Sequence, residues 1–333
     1  MACGWGSFNG AKAAELRTWG IGHDRQKGGN TEISCEGSGE ERVLSEISVT
    51  SRISVRMNRE RVSFSELRTH IPALCFLPGD MDLTDGAPAV RRAFIDKLCA
   101  MLSVPYAKRL SDYKRLVRHR IKLLRGGKSP VITSRLMSSI GSWIWHVRSS
   151  AVKMLDESIF TGGGALPPFP LRVRLVPGGI GNGEGCAYGA DAMRDKFMER
   201  LEFYSERELR AKAPFVGPHR DDISISVGGY GENEGECSGE LSAAVLSRGQ
   251  KRRAVISLIL ASGRVMESRL RRKPLFLLDE VFSELDGDAR RIVADALYDT
   301  GWQIFATSAE NMIPNWRGKI YELSGGSVYE NPI

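Results

Sequence analysis

Two adjacent carboxylates, Asp279 and Glu280, follow four apolar residues, Leu275-Phe276-Leu277-Leu278. Such a run is long enough for a strand buried on both faces. Ligands of open α/β sheets bind at the carboxyl ends of the strands. One acid placed there can hold Mg²⁺, directly or through water, and a second can orient or deprotonate an attacking water. The same pair can instead do no more than cap the following helix.

The upstream stretch bears on that choice. Leu246-Ser247-Arg248-Gly249-Gln250 precedes Lys251-Arg252-Arg253 and an apolar helical segment to about Ala261. Ser-x-Gly-Gln offers a hydroxyl, a flexible backbone and a helix N-terminus, the parts that hold a phosphate. After the acid pair comes Ser283-Glu284-Leu285-Asp286. The order of signature-like motif, helix, buried strand, Asp-Glu and Ser-x-x-Asp resembles the ABC-type ATPase head, with its signature motif, Walker B and D-loop. Downstream, Trp302 to Ala306 reads as another buried strand, with Thr307 and Ser308 at its end. Hydroxyls there can contact a γ-phosphate or the attacking water, or cap the next segment.

These groups need a scaffold. At 333 residues the chain can bury a sizeable core, in one large or two modest domains. Lys plus Arg is 47 and Asp plus Glu is 40, a net charge of +7, which favours a polyanionic partner without naming one. Cys3, Cys35, Cys75, Cys99, Cys186 and Cys237 form no C-x-x-C pair, as expected for a cytoplasmic protein with buried thiols rather than a disulfide framework or zinc site. No run approaches a membrane span, and Met1 to Gly10 has no signal-peptide pattern.

In chain order, Gly4 to Gly10 reads as a glycine-rich loop and Ala11 to Trp19 as a short helix. Arg42 to Val49, Ser51 to Met57 and Arg61 to Phe64 alternate as antiparallel strands, with a turn at Asn58-Arg59-Glu60. Ile71 to Leu77 is a further strand, stopped by Pro78-Gly79-Asp80. From Pro88 the apolar period becomes helical, giving about three long helices between residues 86 and 160, with Trp143 and Trp145 read as packing residues. Leu171 to Val176 is a strand between the Gly/Pro-rich connectors Gly162 to Pro170 and Pro177 to Gly189. Asp191 to Ala211 is helical, Ile223 to Val227 is a strand, and Gly228 to Gly239 is an acidic hairpin loop. On this reading the helices interrupt the sheet, which resumes near Gly217. Arg290 to Leu297 is a last helix and Lys319 to Leu323 a last strand.

One helical stretch is unusually basic. Lys108, Arg109, Lys114, Arg115, Arg118, Arg120, Lys122, Arg125 and Lys128 face the single acid Asp112, with His119 among them. Such a stripe is either a solvated face or a phosphate-neutralising surface that gives salt-sensitive, sequence-independent DNA binding. Gly126-Gly127-Lys128-Ser129 is not a P-loop, because Lys122 stands where the first glycine belongs and a basic helix precedes it. Gly217-Pro218-His219-Arg220-Asp221-Asp222 reads two ways. It is a Gly-Pro turn with an Arg-Asp pair bracing a strand, which the residue types favour, or it places His219 and Arg220 near phosphate or a protomer contact.

Taken together, the chain resembles the RecF family, bacterial recombination mediators with an SMC-like ATPase head. The residues carrying the resemblance are Phe76-Leu77-Pro78-Gly79-Asp80, Gly86-x-Pro88-x-x-Arg91-Arg92-x-Phe94-x-Asp96, Leu110-x-x-Tyr113, Gly217 to Asp222, Ser247-x-Gly249-Gln250 and Leu277 to Asp286. The resemblance implies ATP and Mg²⁺ as cofactors, a head-to-head homodimer, binding to DNA at gaps, and loading of the recombinase RecA with RecR and RecO. It implies that Asp279 supports Mg²⁺ and Glu280 is the catalytic base. It implies further that Ser247, Gly249 and Gln250 engage the γ-phosphate bound by the other protomer, and that the D-loop, Ser283 to Asp286, lies across the interface.

One part of the family pattern is missing: no Gly-x-x-x-x-Gly-Lys-Ser/Thr loop occurs in the 333 residues. Met1 falls about where the helix after that loop ends. The expected fold is therefore α/β, an ABC/SMC-type P-loop ATPase head incomplete at its N-terminus, with an inserted, mostly helical lobe. Residues 1–85 form the first part of the ATPase lobe, 86–212 the helical lobe, and 213–333 the second part with signature motif, Walker B and D-loop. The alternative is a truncated, non-hydrolysing DNA-binding or interaction module.

Overall fold

A strand not read from the sequence, β1 (Thr31–Ser38), opens an antiparallel meander with the alternating segments that follow: β2 (Arg42–Val49), β3 (Ile53–Met57) and β4 (Glu60–Arg61), in that order. The structure, a computed structural model, describes residues 31–38, 42–49, 53–161, 166, 169–180, 190–228, 241–309, 316–324 and 327–331. The N-terminal loop and helix read at Gly4 to Trp19 and the acidic loop after Gly228 lie outside these residues, as does most of both Gly/Pro-rich connectors. The β3–β4 turn holds Asn58 at φ +50° and Arg59 at φ +71°, the left-handed pair that matches the twist of a two-residue hairpin.

The strand read at Arg61 to Phe64 is a correction. It ends at Arg61, and α1 (Phe64–His70) begins behind a reciprocal capping box, in which the Glu66 amide donates to Ser63 Oγ at 3.1 Å and the Ser63 amide to Glu66 Oε2 at 3.1 Å. Two orphan helix donors are thereby satisfied, which outweighs the short polar–apolar alternation. β5 (Ala73–Phe76) follows, then a 3₁₀ turn at Pro78–Met81 and α2 (Asp82–Asp85).

Three long helices come next: α3 (Pro88–Leu102), α4 (Tyr106–Arg125) and α5 (Val131–Thr161). Their apolar faces bury Ile95, Leu98, Tyr113, Ile144 and Trp145. β6 (Leu171–Val176) leads to α6 (Ala190–Phe203) and α7 (Ser205–Ala211), so the single helix read at Asp191 to Ala211 breaks at Tyr204. β7 (Asp222–Val227) then pairs antiparallel with β6 and with β8 (Leu241–Ser242).

The last quarter is α8 (Arg248–Leu270), β9 (Leu275–Leu278), α9 (Gly287–Tyr298), β10 (Gln303–Ala306), β11 (Ile320–Ser324) and β12 (Ser327–Asn331). β9 lies between β5 and β10, parallel to both, with Leu275 level with Ala73 and Gln303. The sheet entered before the helices therefore resumes at β9. The strand near Gly217 belongs to a separate antiparallel sheet, a second correction.

Phe276 and Leu278 are buried, each contributing about 1.5–3 kcal/mol of apolar burial. Above them α8 is buried nearly all round from Ala254 to Gly263, as expected of a helix inside a core. Gly263 is the point of closest approach: a Cβ there would lie 2.6 Å from the Trp302 ring, which packs on Phe276 at 4.9 Å between centroids. β10 is not the fully buried strand read from its apolar content. Among the described residues it pairs on one side alone, and Phe305 is 56 % exposed. No helix among the described residues is long and apolar enough to cross a membrane.

Candidate functional site

The acid pair sits where the three parallel strands end. The Asp279 amide donates to Phe76 O at 2.9 Å and the Thr307 amide to Leu278 O at 2.8 Å, so both edges of β9 stay hydrogen-bonded up to the carboxylates. Thr307 Oγ1 donates to Asp279 Oδ1 at 2.6 Å and accepts from the Glu280 amide at 3.2 Å. Glu280 adopts φ +52°, a left-handed conformation that costs a non-glycine residue about 1–3 kcal/mol. Its carbonyl is held by Arg252 Nη1 at 2.7 Å and Ser283 Oγ at 3.1 Å. Arg252 is buried and also reaches Glu284 Oε2 at 3.4 Å.

Arg252 ties this strand end to the start of α8. Ser247 caps that helix, and its amide donates to Gln250 Oε1 at 3.0 Å while the Gln250 amide donates to Ser247 Oγ at 3.4 Å. Both side chains are exposed, and their helix N-terminus presents Gly249, whose position a Cβ would bring within 3.4 Å of Glu284 O. Lys251 forms an ion pair with Asp85 at 2.6 Å. Asp286 caps α9, accepting from the Ala289 amide at 2.8 Å. Arg252 and Glu284 thus tie the start of α8, which carries Ser247, Gly249 and Gln250, to Glu280 and Ser283, while Asp286 follows two residues after Glu284 as the cap of α9.

His219 and Arg220 make other contacts. His219 Nδ1 and Tyr113 Oη are 2.9 Å apart, and burial followed by the nearby Arg220 charge pushes the imidazole pKa down to about 3. Burial holds the Tyr113 phenol far above its usual range. Arg220 Nε donates to Pro214 O at 3.0 Å. Gly217 has φ +122°, and a Cβ there would lie 2.2 Å from Tyr113 Oη.

The next two residues brace the strand, with partners other than Arg220. Asp221 is fully buried and accepts from Arg148 Nη1 at 2.7 Å, Trp145 Nε1 at 2.8 Å and the Gly178 amide at 2.8 Å. Arg148 also bonds Asp96 at 2.7 Å and Pro218 O at 2.7 Å. Asp222 receives Arg91 through two bonds, at 2.7 and 2.9 Å. Arg91, Asp96, Tyr113 and the Gly217–Asp222 turn thus form one network, pinning α3, α4 and α5 to β7.

Along α4, Lys108, Arg109, Lys114, Arg115, Arg118, Lys122 and Arg125 are exposed, as is Lys128 in the turn beyond. Arg109 lies over the Trp143 ring at 4.2 Å. Arg120 does not belong to this face and is a correction. It is 2 % exposed, paired at 2.6 Å with Glu208, which is 0 % exposed, and donates to Ser134 Oγ at 2.6 Å. Glu208 Oε1 accepts from the Phe215 amide at 2.7 Å. The geometry is that of a satisfied buried pair.

Sequence reading missed Arg252 and Arg148 as organising residues. For Arg148 the available signal was a lone arginine on an otherwise apolar helical face, which has to find a buried acceptor; Arg252, between Lys251 and Arg253, gave no such signal.

A family model described as "RecF/RecN/SMC N terminal domain" matches residues 22–324. The chain is 29 % identical over 329 residues to the DNA replication and repair protein RecF of Moorella thermoacetica, covering 96 % of this chain and 82 % of that protein. It is 27 % identical over 298 residues to the RecF of Streptococcus suis strain 05ZYH33, covering 84 % and 75 %. Among solved structures, the recombination mediator protein RecF-ATPrS in the RecFOR pathway superposes with a TM-score of 0.76 at 23 % identity, over 97 % of this chain and 84 % of that one. An Smc head bound to the C-winged helix domain of ScpA gives a TM-score of 0.50 at 14 % identity, over 97 % and 82 %. The fold is an α/β, ABC/SMC-type head, and the chain belongs to the RecF/RecN/SMC N-terminal domain family.

Proposed function

We propose that this chain is a RecF-like, ATP-dependent DNA-binding protein of recombinational repair and replication restart, with ATP held between the heads of a homodimer. Support comes from family membership, from relatives named as RecF, and above all from the Asp279–Glu280–Thr307 cluster at the end of β9. RecR and RecO are the partners proposed from the same resemblance.

The residues fit a Mg²⁺–nucleotide. Mg²⁺ is commonly held by one or two carboxylates together with phosphate oxygens, and Asp279 and Glu280 supply that oxygen chemistry at the end of β9. Exposed Asp279, oriented by Thr307, would hold it; the ion would neutralise phosphate charge. Glu280, fixed through its amide and carbonyl, would accept the proton of the attacking water. Ser247, Gly249 and Gln250 would meet the partner protomer's nucleotide, since a helix N-terminus attracts phosphate. Ser283 and Asp286 would face the same interface. The cations of α4 would neutralise DNA phosphates.

A second reading is a DNA-binding module indifferent to nucleotide, which the exposed cations of α4 would serve without the acid pair. Sedimentation with gapped DNA, with and without ATP and Mg²⁺, separates the two. ATP-dependent dimers support the first reading. DNA-bound chain whose mass ignores ATP supports the second.

A further inference from the structure

After α4 the chain reverses through residues 126–130 and enters α5. Amides of Gly126, Gly127 and Lys128 close this turn on the carbonyls of Lys122, Leu124 and Leu123. The two helices are pinned beside it by Arg120 on Ser134 Oγ at 2.6 Å and by His119 Nδ1 at 3.1 Å from Thr133 Oγ1. The tip is therefore a defined helical hairpin.

Its first α5 turns present apolar side chains to solvent. Val131, Ile132 and Leu136 are 55 %, 76 % and 50 % exposed. Ile132 and Leu136 are one helical turn apart and share a face. Three such side chains together mark a contact surface better than scattered exposure does. The stem beneath is cationic: residues 101–150 expose nine Lys or Arg, with Arg120 and Arg148 buried in ion pairs, and carry one acid, Asp112. Lys122, Arg125, Lys128 and Arg135 are exposed around the tip.

Charge complementarity selects a polyanion, and the apolar tip selects one with accessible apolar faces. DNA supplies both where stacking is interrupted. Continuous duplex hides its base faces, whereas a junction with single strand leaves the terminal pair uncovered. Branched aliphatic side chains packed against bases, with cations on the flanking phosphates, are a known device of DNA-deforming proteins. We propose that Ile132 and Leu136, with Val131, form a wedge that packs on the terminal base pair of a single-strand/double-strand junction. This rests on the DNA-binding reading above and adds what would tell a gap from continuous duplex.

The test uses the full chain, a gapped duplex carrying 2-aminopurine in the terminal pair, and the matching continuous duplex. The wild type is expected to prefer the gapped DNA and to change the 2-aminopurine fluorescence. The double variant Ile132→Ser/Leu136→Ser, whose altered side chains are exposed, should melt as the wild type does. It should bind both DNAs with a gapped-to-continuous ratio near unity, no fluorescence change and an unchanged salt slope, while Ile132→Met keeps the preference. A serine variant that retains preference and fluorescence change overturns the wedge. Wild type that binds DNA without discrimination and with silent 2-aminopurine also overturns it, leaving the DNA-binding reading intact. Wild type that binds neither DNA at low salt overturns both.

Discussion

Thr307 Oγ1 donates to Asp279 Oδ1 at 2.6 Å and accepts from the Glu280 amide at 3.2 Å, so one hydroxyl from the end of β10 fixes both acids at the end of β9. An outer-shell partner of a metal-binding carboxylate commonly contributes 10–100-fold to metal affinity, so Thr307→Val should raise the Mg²⁺ concentration needed for the ATP effect on DNA binding by about tenfold. Thr307→Ser should restore it. An unchanged Mg²⁺ midpoint in the valine variant would remove Thr307 from the site.

Arg120 and its neighbours on α4 should separate cleanly. Arg120→Gln leaves Glu208 buried and short of its partner, so unfolding free energy should fall by about 3–5 kcal/mol in urea. The salt slope of DNA binding should not change. Lys122→Gln and Arg125→Gln should do the opposite, each reducing the slope by about one while stability stays within about 0.5 kcal/mol.

His219 makes stability pH-dependent. Its folded pKa, lowered to about 3 by burial and then by Arg220, lies below the unfolded value of about 6.5. The unfolded state therefore binds the extra proton first, and the stabilisation present above pH 6.5 is lost as pH falls toward 3. The slope from this group approaches about 1.4 kcal/mol per pH unit below the unfolded pKa. Comparing wild type with His219→Gln between about pH 6.5 and 5, above most carboxylate titrations, isolates it. The variant should be less stable at neutral pH and show a flatter profile.

Much of this arrangement was legible because it is local. The apolar run Leu275–Leu278, the Ser247/Gln250 spacing and the helical period after Pro88 each lie within one element and give a strand end, a capped helix start and three helices. The Gly217–Asp222 turn was legible in kind but not in partners. An Arg-Asp brace is present, yet Asp221 takes Arg148, 73 residues away, and Asp222 takes Arg91, 131 residues away. No local period encodes such pairing. Arg120 was misplaced for the same reason, since its burial depends on Glu208 in α7. At β10 the apolar content suggested burial on both faces, whereas strand pairing, a tertiary property, leaves Phe305 exposed.

The central claim is an ATP-responsive DNA-binding head built around Asp279 and Glu280. Its most direct test is the anisotropy of a fluorescent gapped duplex titrated with wild type and Glu280→Gln at two salt concentrations, with and without ATP and Mg²⁺. The account predicts binding that weakens steeply with salt and tightens with ATP and Mg²⁺. It also predicts that Glu280→Gln keeps the tightened state for longer because nucleotide turnover slows by about 10²-fold or more. Absence of binding, or binding indifferent to nucleotide in both proteins, would contradict it.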